Sequence, residues 1–235
     1  MTSLSNLKVF ATHPHRCSYL EDQQATTLFI DPDAKVDKLL YSELADIGFR
    51  RSGQHIYRPH CGACSACIPT RVVVDMFKQK RKHRRIWKRN QDLVIEEVTD
   101  ISSDEYYQLY ERYISKRHAD GDMFPPSHDQ YLSFLTDELG ITTFFAFKYS
   151  DQLLAIVVAD VMENGLSAIY TFFDPDIERR SLGSFAILWQ IEQAKQLDLP
   201  YLYLGYWIKE CRKMSYKIDY RPLELQINGR WLTLS

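Results

Sequence analysis

The stretch TTFFAFKYSDQLLAIVVADVMENGLSAIYTFFD, residues 142–174, decides the fold. Three runs rich in aromatic and β-branched residues, 142–149, 153–162 and 166–174, are parted only by SDQ and ENG. Runs of that kind are strands. Links this short join neighbouring strands, so the segment reads as an antiparallel meander. Toward the C-terminus follow a helix, SLGSFAILWQIEQAKQLDL (181–199), and a strand, YLYLGY (201–206). A short helix or loop then leads to a hairpin, LELQINGRWLTLS (223–235), turning at Asn228-Gly229. Toward the N-terminus lie helices over 128–140 and 106–119, the latter capped by Ser103 or Asp104, and a strand, DLVIEEV (92–98).

Before residue 92 the pattern is shorter-ranged. LKVFAT (7–12), TTLFID (26–31) and TRVVVD (70–75) look like strands. KVDKLLYSELADIG (35–48) has apolar residues at a helical period, with Gly48 where a C-cap belongs. The element order from 93 onward resembles the acyltransferase fold of the N-acetyltransferase type. The expected class is therefore α+β, with a GNAT-like C-terminal domain (93–235) built on a mixed, largely antiparallel sheet. A smaller Cys-containing α+β domain (1–92) precedes it.

Apolar residues make up 45% and charged residues 26%, which fits a soluble globular chain. No apolar run reaches the ~18 residues of a membrane span. The opening MTSLSNLKVFATHPHRC lacks a basic start followed by an apolar stretch, so it does not read as a secretory signal. Five cysteines, an odd count, argue against a disulfide framework. A cytoplasmic monomer with reduced thiols is expected.

Two local features point to chemistry. YRPHCGACSACIPTR (57–71) spaces Cys61, Cys64 and Cys67 by three. A closed zinc site or an iron–sulfur cluster takes four ligands. Cys17 is the natural fourth, with His60 or His13 in reserve. The other reading is that these are buried thiols, as Cys211 is expected to be. The second feature is KQKRKHRRIWKR (78–89), with eight Lys/Arg and no acid in a chain of net charge −2. As a helix over 78–91 it puts Lys78, Arg81, Lys82, Arg85 and Arg89 on one face, widened by Lys80, Arg84 and Lys88, with Trp87 and Phe77 to anchor the other. Concentrated positive charge of this kind suits a polyanion.

RRSLGSF (179–185) opens the helix after the meander. Coenzyme A transferases carry R/Q-x-x-G-x-G/A here to hold a pyrophosphate at a helix N-terminus. Arg180 and Gly183 fit, and Phe185 breaks the pattern, which disfavours coenzyme A. YLYLGYWIKECRKMSYKIDYRPLE (201–224) interleaves aromatic and cationic residues, a mixture suited to base stacking or carboxylate capture.

Taken in order, CSYL (17–20), YSELADIGFRRSG (41–53), YRPHCGACSACIPTRV (57–72), RRIWKRNQDL (84–93), SLGSFAIL (181–188) and YLGYWIKECRKMSYKIDYRPLE (203–224) resemble the arginyl-tRNA–protein transferase family, and most of all its bacterial leucyl branch. The resemblance covers nearly the whole chain. It implies transfer of leucine from leucyl-tRNA to the N-terminal Asp or Glu of proteins, which marks them for N-end rule degradation. No cofactor is then required for transfer. Eukaryotic members carry cysteine pairs linked to an iron–sulfur cluster. Cys17 and Cys64 match their positions, but Cys61 and Cys67 are additions and Ser18-Tyr19-Leu20 replaces the first partner, so the ligand set differs.

Under that resemblance the roles are these. Arg180 and Gly183 hold the aminoacyl end, and Tyr170, Phe172, Trp207 and Met214 line a leucine pocket. Lys213, Lys217 and Arg221 read the acidic side chain. Asp174 or Tyr216 accepts the amine proton. The basic helix (Lys78, Arg81, Lys82, Arg84, Arg85, Lys88, Arg89) lies along the tRNA. The alternative is a non-catalytic RNA-binding protein with a zinc knuckle on a degenerate acyltransferase scaffold.

Overall fold

The computed structural model describes residues 3–235. The chain runs through β1 (Val9–Ala11), a two-residue ladder of β2 (His15–Arg16) with β3 (Gln24–Ala25), β4 (Thr27–Ile30), α1 (Lys38–Asp46), β5 (Arg50–Ser52), β6 (His55–Pro59), β7 (Ile68–Val73) and α2 (Arg81–Arg89). Then come β8 (Val94–Val98), α3 (Asp104–Arg117), α4 (His128–Leu135), β9 (Thr142–Tyr149), β10 (Gln152–Val161) and β11 (Gly165–Phe173). α5 (Leu182–Gln196), β12 (Tyr201–Trp207), a 3-10 stretch (Arg212–Asp219), β13 (Leu223–Ile227) and β14 (Arg230–Leu234) complete it.

The meander β9–β10–β11 is antiparallel, as its turn-length links require. It sits in an eight-stranded sheet of order β14-β13-β7-β12-β11-β10-β9-β8. The hairpin β13–β14 turns at Asn228 and Gly229, whose positive φ of 52° and 74° suits a tight type I′ connection. The class is thus α+β with a large, mostly antiparallel sheet.

The exception is β11 with β12. These pair in parallel over only three residues, Gly165 to Tyr201, Leu166 to Leu202 and Ser167 to Tyr203. The ladder stops there, and the remaining residues of the two strands leave a split in the middle of the sheet.

Alternation along the strands sends side chains to two faces. Leu202 and Leu204 join a core with α5 and α2. Tyr203 joins a core with α1 and the small sheet β1-β4-β6-β5, while Phe172 joins the α3–α4 core. The small sheet and the α3–α4 pair therefore share one face of the large sheet, on either side of the split.

α1 begins where the Asp37 carboxylate accepts the Leu40 amide at 2.8 Å and buries Leu40, Tyr41, Leu44 and Ala45. It ends at Gly48, φ 91°, where a side chain would meet Gln226 Oε1 at 2.6 Å. The expected division near residue 92 is not a division of the sheets. β7, from before it, lies between β12 and β13. β5 and β6 carry little apolar alternation and were missing from the sequence-based expectation.

Candidate active site

At the split lies a cavity of about 820 Å³. β11 supplies Ile169, Tyr170 and Phe173, β12 supplies Leu204, Gly205 and Tyr206, and the start of α5 supplies Ser181 to Ser184. The small sheet contributes Arg50 and Tyr57. The α3–α4 side contributes Tyr113, His118 and Phe134, and the 3-10 stretch brings Lys213, Met214, Tyr216 and Lys217.

Two cations occupy its inner wall. Gly205 has a φ of 79°, and a side chain there would lie 3.5 Å from Arg50 Nε and 3.6 Å from Lys217 Nζ. The left-handed φ is what calls for glycine here, and both cations stand at ordinary contact distance from where a side chain would begin. Arg50 is 7% exposed. Its Nη2 donates to Ala168 O at 3.0 Å, and Nη1 has no partner among the described residues. Lys217 is 6% exposed, and among the described residues Nζ donates only to Tyr206 O, at 2.5 Å. Burial, then the Arg50 charge, lowers the Lys217 pKa to about 7. A buried guanidinium with a free fork calls for an anion.

Neither Arg50 nor its neighbour Arg51 was among the sequence-predicted site residues. The available signal was two adjacent arginines in a segment flanked by the buried Phe49 and Ile56. Arg51 turns the other way. It forms two bonds to Asp160, at 2.8 and 2.7 Å, and also donates to Gly53 O and Thr142 Oγ1. It pins the small sheet to β10.

Beyond the cavity, α2 presents its charge to solvent. Lys78, Lys80, Arg81, Lys82, Arg84, Arg85, Lys88 and Arg89 are all exposed, while His83 and Ile86 are buried. His83 stacks between Phe77 and Tyr220, and Trp87 packs on Phe185. Lys82 with Asp219, at 3.1 Å, is the one ion pair made by 78–89 among the described residues. The helix runs over Arg81–Arg89, shorter than the 78–91 expected.

The family model described as arginine-tRNA-protein transferase, N terminus, matches residues 15–85, and the one for the C terminus matches residues 105–227. The chain belongs to the arginine-tRNA-protein transferase family. It is 59% identical to the aspartate/glutamate leucyltransferase of Teredinibacter turnerae, covering 100% of this chain and 97% of that one. It is 57% identical to the protein of that name from Stutzerimonas stutzeri, covering 100% of both. Among solved structures FemX overlaps with a TM-score of 0.49 at 8% identity, covering 92% of this chain and 83% of that one.

In this member of the arginine-tRNA-protein transferase family the expected site residues divide. Tyr170, Gly183, Lys213, Met214, Tyr216 and Lys217 line the cavity. Gly183 serves packing, because a side chain there would press on Phe173 at 3.1 Å. Lys213 stands at the rim, paired with Asp120 at 2.8 Å.

Others lie elsewhere. Arg180 is not a cavity residue. Its two nitrogens grip Asp92 at 2.7 and 2.9 Å, and it lies over the Tyr149 ring. Phe172 is fully buried on the α3–α4 face, and Trp207 lies beyond the cavity, registered with Ile68 of β7. Arg221 is engaged with Ile218 O and Ser235 O, outside the cavity.

Asp174 is 8% exposed and also outside. Its carboxylate accepts the Asp176 amide and lies 4.0 Å from Arg112, so it shapes the turn after β11. Tyr216 lines the cavity with 44% of its surface exposed; partial burial raises the phenol pKa further, so it is a neutral phenol at neutral pH. Phe185, which breaks the coenzyme A pattern, is buried against Trp87 and Phe147.

Cys17, Cys61 and Cys64 all lie near enough to Cys67 for their charges to act on it. Among the described residues no group of three or more His, Cys, Asp or Glu is arranged to hold a metal ion. Cys61 Sγ contacts Thr26 O at 3.8 Å, and Cys17 Sγ accepts the Tyr19 amide at 3.4 Å. Burial, reinforced by the neighbouring thiols, pushes Cys67 up to about 12, which keeps it a thiol. The four expected cysteines thus gather in one region without forming a ready-made ligand group among the described residues, and no step of the chemistry runs through a metal.

Proposed function

We propose that this protein moves leucine from leucyl-tRNA onto the N-terminal Asp or Glu of other proteins, marking them for N-end rule degradation. The observation that carries the reading is the pair Arg50 and Lys217, set beside Gly205 at the inner wall of a cleft whose rim before α5 is bonded to the end of the exposed basic helix. The full-length relatives named aspartate/glutamate leucyltransferase support the same reading. So does the split between β11 and β12, which is what a GNAT-like acyltransferase scaffold calls for.

The reaction is aminolysis of an ester. The α-amine of the acceptor attacks the leucyl carbonyl carbon, the C–N bond forms, and the ribose oxygen of the tRNA leaves. The ester is already activated, so holding amine and carbonyl in line supplies much of the barrier reduction, about 7 kcal/mol or more. Arg50, permanently charged and lining the cavity, receives the acidic side chain once its unpartnered, covered Nη1 turns toward the cavity. The apolar wall of Tyr170, Phe134, Phe173 and Met214 receives the leucyl side chain. Backbone N–H groups at Leu182 to Ser184, in the first turn of α5 beside the cavity, would stabilise the developing oxyanion.

The nucleic acid follows α2. Its exposed basic side chains neutralise phosphates without reading sequence. Arg89 and Asn90 bond the carbonyls of Arg179 and Arg180, immediately before the cavity residues Ser181 to Gly183. The phosphate-binding arm is thereby attached to the edge of the cleft where the acyl end must enter.

The test is transfer of labelled amino acid from leucyl-tRNA and arginyl-tRNA, side by side, to peptides starting with Asp, Glu, Asn or Ala. Label moving from leucyl-tRNA to the Asp and Glu peptides alone is the expected result. Equal labelling of the Ala peptide overturns the carboxylate reading, and no labelling from leucyl-tRNA overturns the donor.

A further inference from the structure

The cleft holds two cations of different chemistry next to one another, and the proposed reaction has two tasks for them. An acidic side chain must be held. An α-ammonium must also lose a proton before it can attack, since a free α-amino group has a pKa of about 7.7–8.0. The two residues expected to take that proton, Asp174 and Tyr216, are respectively outside the cavity and held protonated. We infer that Lys217 Nζ is the acceptor for the proton of the incoming α-amine, while Arg50 holds the carboxylate of the same residue. This rests on the leucyl-transfer reading above and divides its labour.

Three observations carry the assignment. Lys217 lines the cleft, and among the described residues its Nζ spends a single bond, on Tyr206 O, which leaves its other positions unused. The groups around it do not neutralise an ammonium. Arg50 comes from β5. Tyr57 and Tyr206 come from β6 and β12, with phenols raised by burial and so uncharged. Cys67 and Cys211 are the thiols facing it, and Tyr216 lies 6.0 Å away on its own segment. Across the cavity stand Arg117, His118 and Lys213, none of them anionic. No carboxylate is among the residues lining the cavity near it; Glu178, the one acid in that lining, belongs to the loop before α5. Finally, Arg50 cannot give up its proton in this setting, whereas a buried lysine beside another cation can.

The steps balance. Neutral Lys217 takes one proton from the α-ammonium and becomes an ammonium. The freed amine attacks the leucyl carbonyl carbon and forms the C–N bond. The C–O bond to the ribose breaks with its electron pair on oxygen, which takes the second N–H proton and leaves as hydroxyl. Lys217 returns its proton to water before the next turnover. A carboxylate docked on Arg50 cancels the charge that weakens Lys217 as a base. The lysine thus becomes a better acceptor when an acidic residue arrives, and an Asn or Gln terminus brings no such help. Recognition and activation are coupled through one pair of side chains.

The experiment is transfer of leucine to an Asp-starting peptide across pH 5.5–9 by the wild type, Lys217→Arg and Lys217→Ala, with leucyl-tRNA binding measured for each. The wild type should show the acid limb of kcat/KM near 7. Lys217→Arg fixes a permanent positive charge at the position and cannot accept the proton. Its rate should fall by about 10²–10⁴-fold, with the limb moved up to the peptide amine's own range, about 7.7–8.0. Added methylamine or ethylamine should restore part of the Lys217→Ala rate, which a purely structural role would not allow. The inference is overturned if Lys217→Arg transfers within about 3-fold of wild type with the same pH dependence. It is equally overturned if no small amine restores Lys217→Ala while leucyl-tRNA binding is intact. A wild type that moves no leucine at any pH sinks the functional reading itself, and is thereby distinguishable.

Discussion

Arg51 closes on Asp160 through two parallel hydrogen bonds, Nε to Oδ2 at 2.8 Å and Nη2 to Oδ1 at 2.7 Å, with at most 1% of either side chain left in water. Asp160 also accepts from Thr142 Oγ1, and Arg51 reaches the carbonyls of Gly53 and Thr136. One buried pair thus fastens β5 to β10 while its neighbour Arg50 enters the cleft. Removing one partner strands the other without a counter-charge, at roughly 3–5 kcal/mol. Asp160→Leu should lower the urea midpoint accordingly, and Arg51→Met with Asp160→Leu should recover much of it. If the double substitution is as unstable as the single one, the stranded-charge explanation fails.

Arg180 and Asp92 form a second joint, between the loop after α2 and the helix start at the cleft. Because Arg180 faces away from the cavity, its effect on transfer is indirect. Arg180→Met and Asp92→Asn should each weaken leucyl-tRNA binding by about 3- to 10-fold, roughly 1 kcal/mol, and the double substitution should be no worse than either alone. A direct substrate contact through Arg180 would instead leave Asp92→Asn mild and Arg180→Met severe.

The basic helix predicts a salt signature. Each phosphate neutralised adds about 0.7–0.9 to the slope of log affinity against log salt. Arg81→Gln, Arg85→Gln and Lys88→Gln remove exposed charges that make no ion pair among the described residues. Each should flatten the slope for leucyl-tRNA by about one contact with little change in stability. Filter binding between 50 and 300 mM salt reads this directly, and an unchanged slope in the triple variant would remove α2 from the interface.

Lys217 also leaves a mark on folding. Its pKa is lowered from 10.5 to about 7 in the folded chain, so between those values the unfolded chain binds the extra proton and stability rises with pH. The slope from this group is at most about 1.4 kcal/mol per pH unit. Lys217→Met should therefore be more stable than wild type at pH 7, with the advantage shrinking by pH 9.5. Urea unfolding at the two pH values checks the sign, and a destabilised variant at pH 7 would contradict it.

Much of the large sheet was legible because its signals are local. The meander declared itself through alternation and three-residue links, the hairpin through Asn228-Gly229, and α2 through its run of charge. What escaped was fixed by distant partners. Arg50 and Arg51 have no periodicity to betray them, and Asp160 stands 109 positions from the arginine it holds. Arg180 looked like a ligand-binding residue by its place before α5. Only the fold shows Asp92 already in its grip. Lys217 was legible as a cavity cation, but its weakened hold on the proton depends on burial and on Arg50, which no spacing encodes.

Because β7 (68–73) lies between β12 (201–207) and β13 (223–227), the sheet cannot close in the order in which the ribosome delivers it. β7 emerges long before either neighbour, and its hydrogen-bonding edges wait, unpaired, until nearly the last strand is made. A nascent chain halted before residue 200 would have no finished cleft and a bare strand open to other chains.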